Sequence, residues 1–215
     1  MAGSAHKKHF EQPTSFAFSS ENMKKIEAII AKYPKGRQAS AVMPLLDLAQ
    51  RQHDNWIPEA AMAEIARILD MPKIKVYEVA TFYTMYNLEP RGKHHLQFCT
   101  TTPCWLRGSG EVVSACEKHL GIKLGETTSD GQFTITDVEC LGACVNAPVV
   151  QYNGDEFYED LTAENIVQVI DTLKAGKKPT VGSQTGRHKS MGPSGATCLT
   201  EQAKSAGVKI SGGGK

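Results

Sequence analysis

Between Ser20 and about Asn87, apolar residues recur three and four positions apart. The sets are Ile26, Ile29, Ile30 and Tyr33, then Val42, Leu45, Leu46 and Ala49, then Met62, Ile65, Ala66 and Leu69, then Val76, Val79, Ala80 and Tyr83. That spacing lays each set on one face of a helix. Pro34 with Gly36, Pro58 and Pro72 punctuate the run, and Pro58 and Pro72 stand where a proline opens the first turn of the next helix. The pattern predicts a four-element helical bundle over residues 20–90, after a flexible N-terminus at residues 1–19.

After Glu89, Pro90, Arg91 and Gly92 the period changes. His94–Cys99 and Phe133–Cys140 alternate as strands do, and Pro148–Glu159 reads as a hairpin turning at Asn153, Gly154 and Asp155. Helical patterns fill Gly110–Leu120 and Thr162–Lys174. Strand, helix, strand, hairpin and helix in that order describe a compact α/β layer over residues 91–175, so the fold class is α+β with the helical bundle first.

Charge separates the end of the chain from the rest. Residues 176–215 hold seven Lys or Arg and one acid, Glu201, a net of +6; since the 215-residue chain totals +1, residues 1–175 carry −5. Gly, Ser, Thr and Pro make up 20 of those last 40 residues, too little apolar surface to offset the entropy of ordering. A basic, Gly/Ser-rich tail is expected, mobile alone and ordered along a partner, with Arg187, His188 and Lys189 as polar anchors. The near-neutral total gives no field for nucleic acid or an anionic membrane. No apolar run approaches the roughly 18 residues of a membrane span, and Met1–Phe16 lacks the apolar stretch of a secretory signal and has no Arg. A soluble protein of a reducing compartment follows, where six cysteines point to metal ligands or core residues before disulfides.

Four of the six carry the chemistry. Cys99 and Cys104 are separated by four residues at the end of the first strand, and Cys140 and Cys144 by three at the end of the second. Parallel strands would deliver both loops to one sheet edge, where four thiols can converge. A [2Fe-2S] cluster needs four thiolates, two per iron. A structural zinc site with four cysteine ligands tolerates the same spacings and stays open on spacing alone. The third cysteine of plant-type ferredoxins would fall on Arg107, Rieske ligation needs histidines that neither loop has, and Cys-x-x-Cys is absent.

The surrounding residues are weighed the same way. Cys116 shares a helix face with Val113 and Leu120 and reads as core, and Cys198 has no assigned role. Trp105 reads as core more readily than as a partner contact, and Arg107 is the local cation that could offset cluster charge. His94 and His95 lie on a strand and are not ligands. Gly108 and Gly110 lack the third glycine of a dinucleotide fingerprint, Val113 standing in its place, and the terminal SGGGK has no following Ser or Thr, so it is not a P-loop. Hydride chemistry then belongs to another chain. Ala60–Tyr83 also has the rhythm of a helix-turn-helix, giving a zinc-stabilised DNA-binding protein as a remote alternative, but Trp56–Tyr86 carries a net −1.

VATFYTMYNLEPRGKHHLQFCTTTPCWLRGSGEV and TDVECLGACVNAPVVQYNGDEFYEDLT strongly resemble the family of small thioredoxin-like [2Fe-2S] subunits of NADH:quinone oxidoreductase, respiratory complex I. The resemblance covers about residues 20–175 and continues through GSQTGR in the tail. It implies a thioredoxin-like ferredoxin domain, one [2Fe-2S] cluster on Cys99, Cys104, Cys140 and Cys144, and no catalytic residue of its own. It also implies a larger partner subunit that binds FMN and NADH, no direct membrane insertion, and a place peripheral to the inner membrane, cytoplasmic in a bacterium or on the matrix side in a mitochondrion. Relatives with the same motif serve NAD-linked hydrogenases and formate dehydrogenases, which remain the alternative assemblies. Pro148 falls where thioredoxin-like folds often carry a cis proline.

Overall fold

The computed structural model describes residues 10–187 and 198–207. The chain divides into two compact units, Met1–Lys93 and His94–Lys215.

The first unit holds α1 (Ser20–Ile30), a short 3-10 turn at Gln38–Ala41, α2 (Val42–Gln52), α3 (Glu59–Ile68) and α4 (Lys73–Phe82). Each helix buries the face its spacing predicts: Ile26 from α1, Leu45, Leu46 and Ala49 from α2, Met62 and Ile65 from α3, and Val76 and Ala80 from α4 form one core. Truncating one of the larger of these to Ala would cost about 2–5 kcal/mol. Pro58 and Pro72 occupy the N-cap positions of α3 and α4, one residue outside the first turn expected. The segment just before α1 is not loose. Phe18 is buried in the core and Phe16 packs against it, Phe10 meets Trp56 edge-on at 5.3 Å, and the Gln52 side chain donates to Ala17 O at 2.9 Å. The expectation of flexibility at residues 1–19 therefore fails for residues 10–19, where burial of Phe18, partial burial of Phe10 and Phe16 and hydrogen bonds to Gln52 act together against the entropy of ordering. Met1–His9 lie outside the described residues.

The second unit is a five-stranded mixed sheet in the order β2-β1-β3-β4-β5 with helices packed on it. Its elements are β1 (His94–Cys99), α5 (Thr102–Leu106), α6 (Ser109–Leu120), β2 (Phe133–Val138), a 3-10 turn at Cys144–Asn146, β3 (Val150–Tyr152), β4 (Glu156–Glu159), α7 (Ala163–Lys174), β5 (Gly182–Ser183) and α8 (Thr200–Ser205). β1 and β2 run parallel, with His94 opposite Phe133 and Cys99 opposite Val138. β3 pairs antiparallel with β1, and β4 pairs antiparallel with β3 to continue the sheet. Leu96, Phe98, Phe133, Ile135 and Val150 pack with Val112 and Cys116 of α6 and Ile166, Val169 and Ile170 of α7. Thr162 opens α7 with a reciprocal capping box on Asn165, worth about 1 kcal/mol.

The tail boundary at residue 176 is corrected. Gly182 and Ser183 pair in parallel with Tyr158 and Glu159, and Gln184 N donates to Glu159 O at 2.9 Å. Two backbone-paired residues need no apolar periodicity, which is why composition hid them. Arg187 is bound within the chain, whereas His188 and Lys189 lie outside the described residues.

Candidate metal centre

Because β1 and β2 are parallel and in register, the chain leaves both at the same edge of the sheet. Cys99 ends β1 and Cys104 sits in α5, the short helix that the TTP segment opens at once. Cys140 comes two residues after β2, and Cys144 begins the 3-10 turn. Gly142, at φ +79°, makes the reversal between them in a left-handed conformation that an L side chain would resist. Ala147–Pro148 is cis, at the position the resemblance implied.

The thiols stand in two pairs. Cys140 Sγ and Cys144 Sγ are 3.4 Å apart, exposed and not disulfide-bonded. A metal–thiolate distance of about 2.3 Å puts two sulfurs on one tetrahedral metal within about 4 Å of each other, so this pair already has the separation for one iron. Cys99 and Cys104 are buried, hydrogen-bonded to each other, and packed with Ala147 and Val149. The Thr101 hydroxyl lies 3.2 Å from Cys99 Sγ and also bonds the Cys140 sulfur, joining the pairs. Among the described residues no three His, Cys, Asp or Glu side chains gather around a single point, as one ion would require.

Backbone N–H groups supply the electrostatics. Burial raises the Cys99 pKa, but the Thr101 hydroxyl, the Thr101 and Leu141 amides and the Cys104 thiol together take it below the ordinary thiol range. Burial pushes Cys104 up to about 12, with Cys99 beside it adding to the rise. The Gly142 amide, then the Cys144 thiol, lower Cys140, and Cys144 is raised in turn by its bond to Cys140. Each pair thus holds one sulfur whose thiolate form is favoured and one whose proton is held more tightly. Leu141 belongs to the second loop yet serves Cys99 of the first, so the loops support each other's sulfurs.

The neighbours divide between expectation and correction. Cys116 is fully buried in the core, and its thiol is pushed up to about 12 by burial. Cys198 is exposed, as is Arg107. Trp105, expected in the core, is 66% exposed because α5 is one turn long and turns Cys104 inward, leaving Trp105 and Leu106 outside. His94 and His95 are both buried, His94 Nδ1 2.9 Å from Tyr152 Oη and His95 Nε2 2.8 Å from Thr136 Oγ1, so neither serves the loops. The sequence reading missed Thr101 as the link between the pairs, although a hydroxyl two residues after Cys99 was the available signal. It also misplaced Arg187, whose guanidinium reaches Val145 O and Asn146 Oδ1 beside Cys144.

Comparison with known proteins agrees with this geometry. Residues 26–174 match the family model described as thioredoxin-like [2Fe-2S] ferredoxin. The chain is 52% identical over 188 residues to NADH dehydrogenase [ubiquinone] flavoprotein 2, mitochondrial, of Dictyostelium discoideum, covering 87% of this chain and 76% of that one. It is 56% identical over 161 residues to an NADH-quinone oxidoreductase subunit of Rickettsia conorii, covering 75% and 96%. Among solved structures it resembles an NAD+-reducing [NiFe]-hydrogenase in the air-oxidised state, with a TM-score of 0.55 and 20% identity over 63% of this chain and 23% of that one, a likeness of fold. A helical bundle followed by a sheet whose parallel strands bring four cysteines to one edge is accounted for by one of these matches over most of its length: the chain belongs to the thioredoxin-like [2Fe-2S] ferredoxin family.

Proposed function

We propose that this chain is the small electron-transfer subunit of an NADH:quinone oxidoreductase and holds one [2Fe-2S] cluster on Cys99, Cys104, Cys140 and Cys144. The observation that carries the assignment is the arrangement of four free thiols as two pairs linked by Thr101 and Leu141 at one sheet edge. That donor set fits a binuclear iron cluster, two thiolates to each iron, better than a single zinc that four thiols must surround. When bound, the cluster supplies one-electron transfer, which a flavin that accepts hydride as two electrons requires of its neighbours. This chain's residues hold the metal and stabilise its negative charge: the Leu141 and Gly142 amides and the Thr101 hydroxyl point at sulfur.

FMN and NADH are assigned to a larger partner subunit. Trp105, Leu106 and Val145 are exposed and directly follow Cys104 and Cys144, so the apolar surface that would meet a flavin subunit surrounds the loops that must approach it. No helix among the described residues is long and apolar enough to cross a membrane. We place the chain in the peripheral part of the assembly, on the side where NADH is oxidised, which is cytoplasmic in a bacterium and the matrix in a mitochondrion. The relatives that are 52% and 56% identical over the aligned residues favour a quinone-linked assembly over hydrogenase or formate dehydrogenase. The DNA-binding alternative fares worse, since Arg67, Lys73 and Lys75 on α3 and α4 each face a glutamate.

Purified under anaerobic conditions, the full chain should carry about two irons and two acid-labile sulfides with a reducible visible spectrum. Isolated, it should take up neither FMN nor NADH, while its complex with the flavin subunit should oxidise NADH with artificial acceptors. Stoichiometric zinc without colour, or flavin on the isolated chain, would overturn the reading.

A further inference from the structure

A cation bound beside the second cysteine loop comes from far along the chain. Arg187 lies four residues beyond β5, and its guanidinium donates to Asp160 Oδ1 at 2.8 Å, to Asn146 Oδ1 at 2.7 Å and to the Val145 carbonyl. Val145 and Asn146 immediately follow Cys144. Asp160, whose side chain is only 10% exposed, also accepts from Ser183 Oγ at 2.6 Å, and Ser183 Oγ accepts from the Arg187 backbone N–H at 3.0 Å. Asn146, buried, is gripped from the same corner: its carbonyl accepts from Asp160 N at 2.7 Å and its amide donates to Glu159 Oε2 at 2.6 Å. β5 and Arg187 therefore close a ring of hydrogen bonds around the turn that carries Cys144.

We infer that Arg187 is a positioning residue for the metal centre, delivered by β5 to fix the Cys144 turn through Val145 and Asn146 and held there by Asp160. The inference rests on the cluster assignment to the four cysteines. The three contacts converge on one guanidinium nitrogen, Nη2, while Nε faces Asp160 Oδ2 at 3.4 Å; this two-point hold on one carboxylate fixes the plane and aims Nη2 at the turn, which a lysine ammonium on a flexible stem does not reproduce. Its charge also offsets the thiolate-rich centre, which favours the reduced, more negative state.

The test uses the full-length protein loaded with its cluster, comparing wild type with Arg187→Ala, Arg187→Lys and Asp160→Asn. Iron release to a chelator should be about 10-fold faster in Arg187→Ala, the lower end of what loss of an outer partner does to metal affinity. Its midpoint potential should fall, and the electron paramagnetic resonance signal of the reduced protein should broaden as the turn loosens. Arg187→Lys should restore the potential more fully than the release rate, since it returns charge without the three-way grip. Asp160→Asn, nearly isosteric, carries the test if Arg187→Ala does not fold, and should also speed release. Wild-type release and line shape in both Arg187→Ala and Asp160→Asn would overturn the role of Arg187. A wild-type chain that binds no iron would instead remove the cluster assignment beneath it.

Discussion

Thr101 shows how a single hydroxyl can serve a metal centre without ligating it. It lies 3.2 Å from the Cys99 sulfur and also reaches Cys140, so it can donate to sulfur whose charge grows on reduction. Thr101→Val keeps the shape and removes the donor. The midpoint potential should fall by a fraction of the about 1.5–3 kcal/mol that a hydrogen bond to a charged group carries, as read by redox titration of the visible spectrum. An unchanged potential would mean that the hydroxyl turns elsewhere once iron is bound. The cysteines themselves separate by environment. Cys140→Ser should abolish or severely weaken iron retention, whereas Cys116→Ser, in a fully buried apolar site, should leave the spectrum alone and cost about 1–3 kcal/mol of stability in denaturant titration. In iron-free protein, a mild alkylating agent should label Cys140 ahead of Cys116, because Cys140 is exposed with a lowered pKa and Cys116 is buried with its thiol held near 12. Equal labelling of the two in the native protein would contradict the assigned burial.

At the scale of elements, long periodic segments were legible and short ones were not. α1–α4, α6, α7 and the parallel pair β1–β2 announce themselves because each repeats an apolar interval several times, and the cysteine pairs announce the loops that follow the two strands. α5 is five residues long and β5 two, too short for any period to register. Their placement is decided by tertiary partners: Cys104 turned into the small cluster with Cys99 and Val149, and Ser183 seated on Asp160. The residues before α1 were misjudged for a related reason, since isolated phenylalanines separated by polar residues show no interval, yet Phe16 and Phe18 stack edge-on at 5.0 Å and help close the bundle core. Tyr86, just beyond α4, ties the end of the first unit to α2 by donating from its hydroxyl to Met43 O at 2.9 Å. Burial raises its pKa from the ordinary 10 to about 12. The raised value means that the folded state favours the neutral phenol, so this contribution is complete below pH 10 and is lost as pH rises toward 12. Tyr86→Phe should cost about 1 kcal/mol at neutral pH and should flatten part of the alkaline loss of stability, measured by thermal melting over that range.

For the molecule as a whole, we propose two separable duties for the C-terminal region. Through Arg187 the chain is part of the metal-bearing unit, bonded to the Cys144 turn and to β4. Residues 188–215 contain Lys189, Lys204, Lys209 and Lys215 against Glu201, a net of +3, and the proposal that the tail docks on a partner now rests on them. Two truncations distinguish these duties. A chain ending after Arg187 should keep its cluster and its spectrum, while one ending after Gly176, which loses β5 and Arg187 together, should release iron about 10-fold faster or more. If the remaining basic segment docks on the flavin subunit, the chain ending at Arg187 should bind that subunit more weakly than full-length protein. The difference should shrink as salt rises, because screening removes the attraction only from the chain that still carries the charge. Equal affinity and equal salt response in the full-length chain and the chain ending at Arg187 would show that docking is complete without residues 188–215, and would leave the metal centre as the one place where the C-terminal region acts.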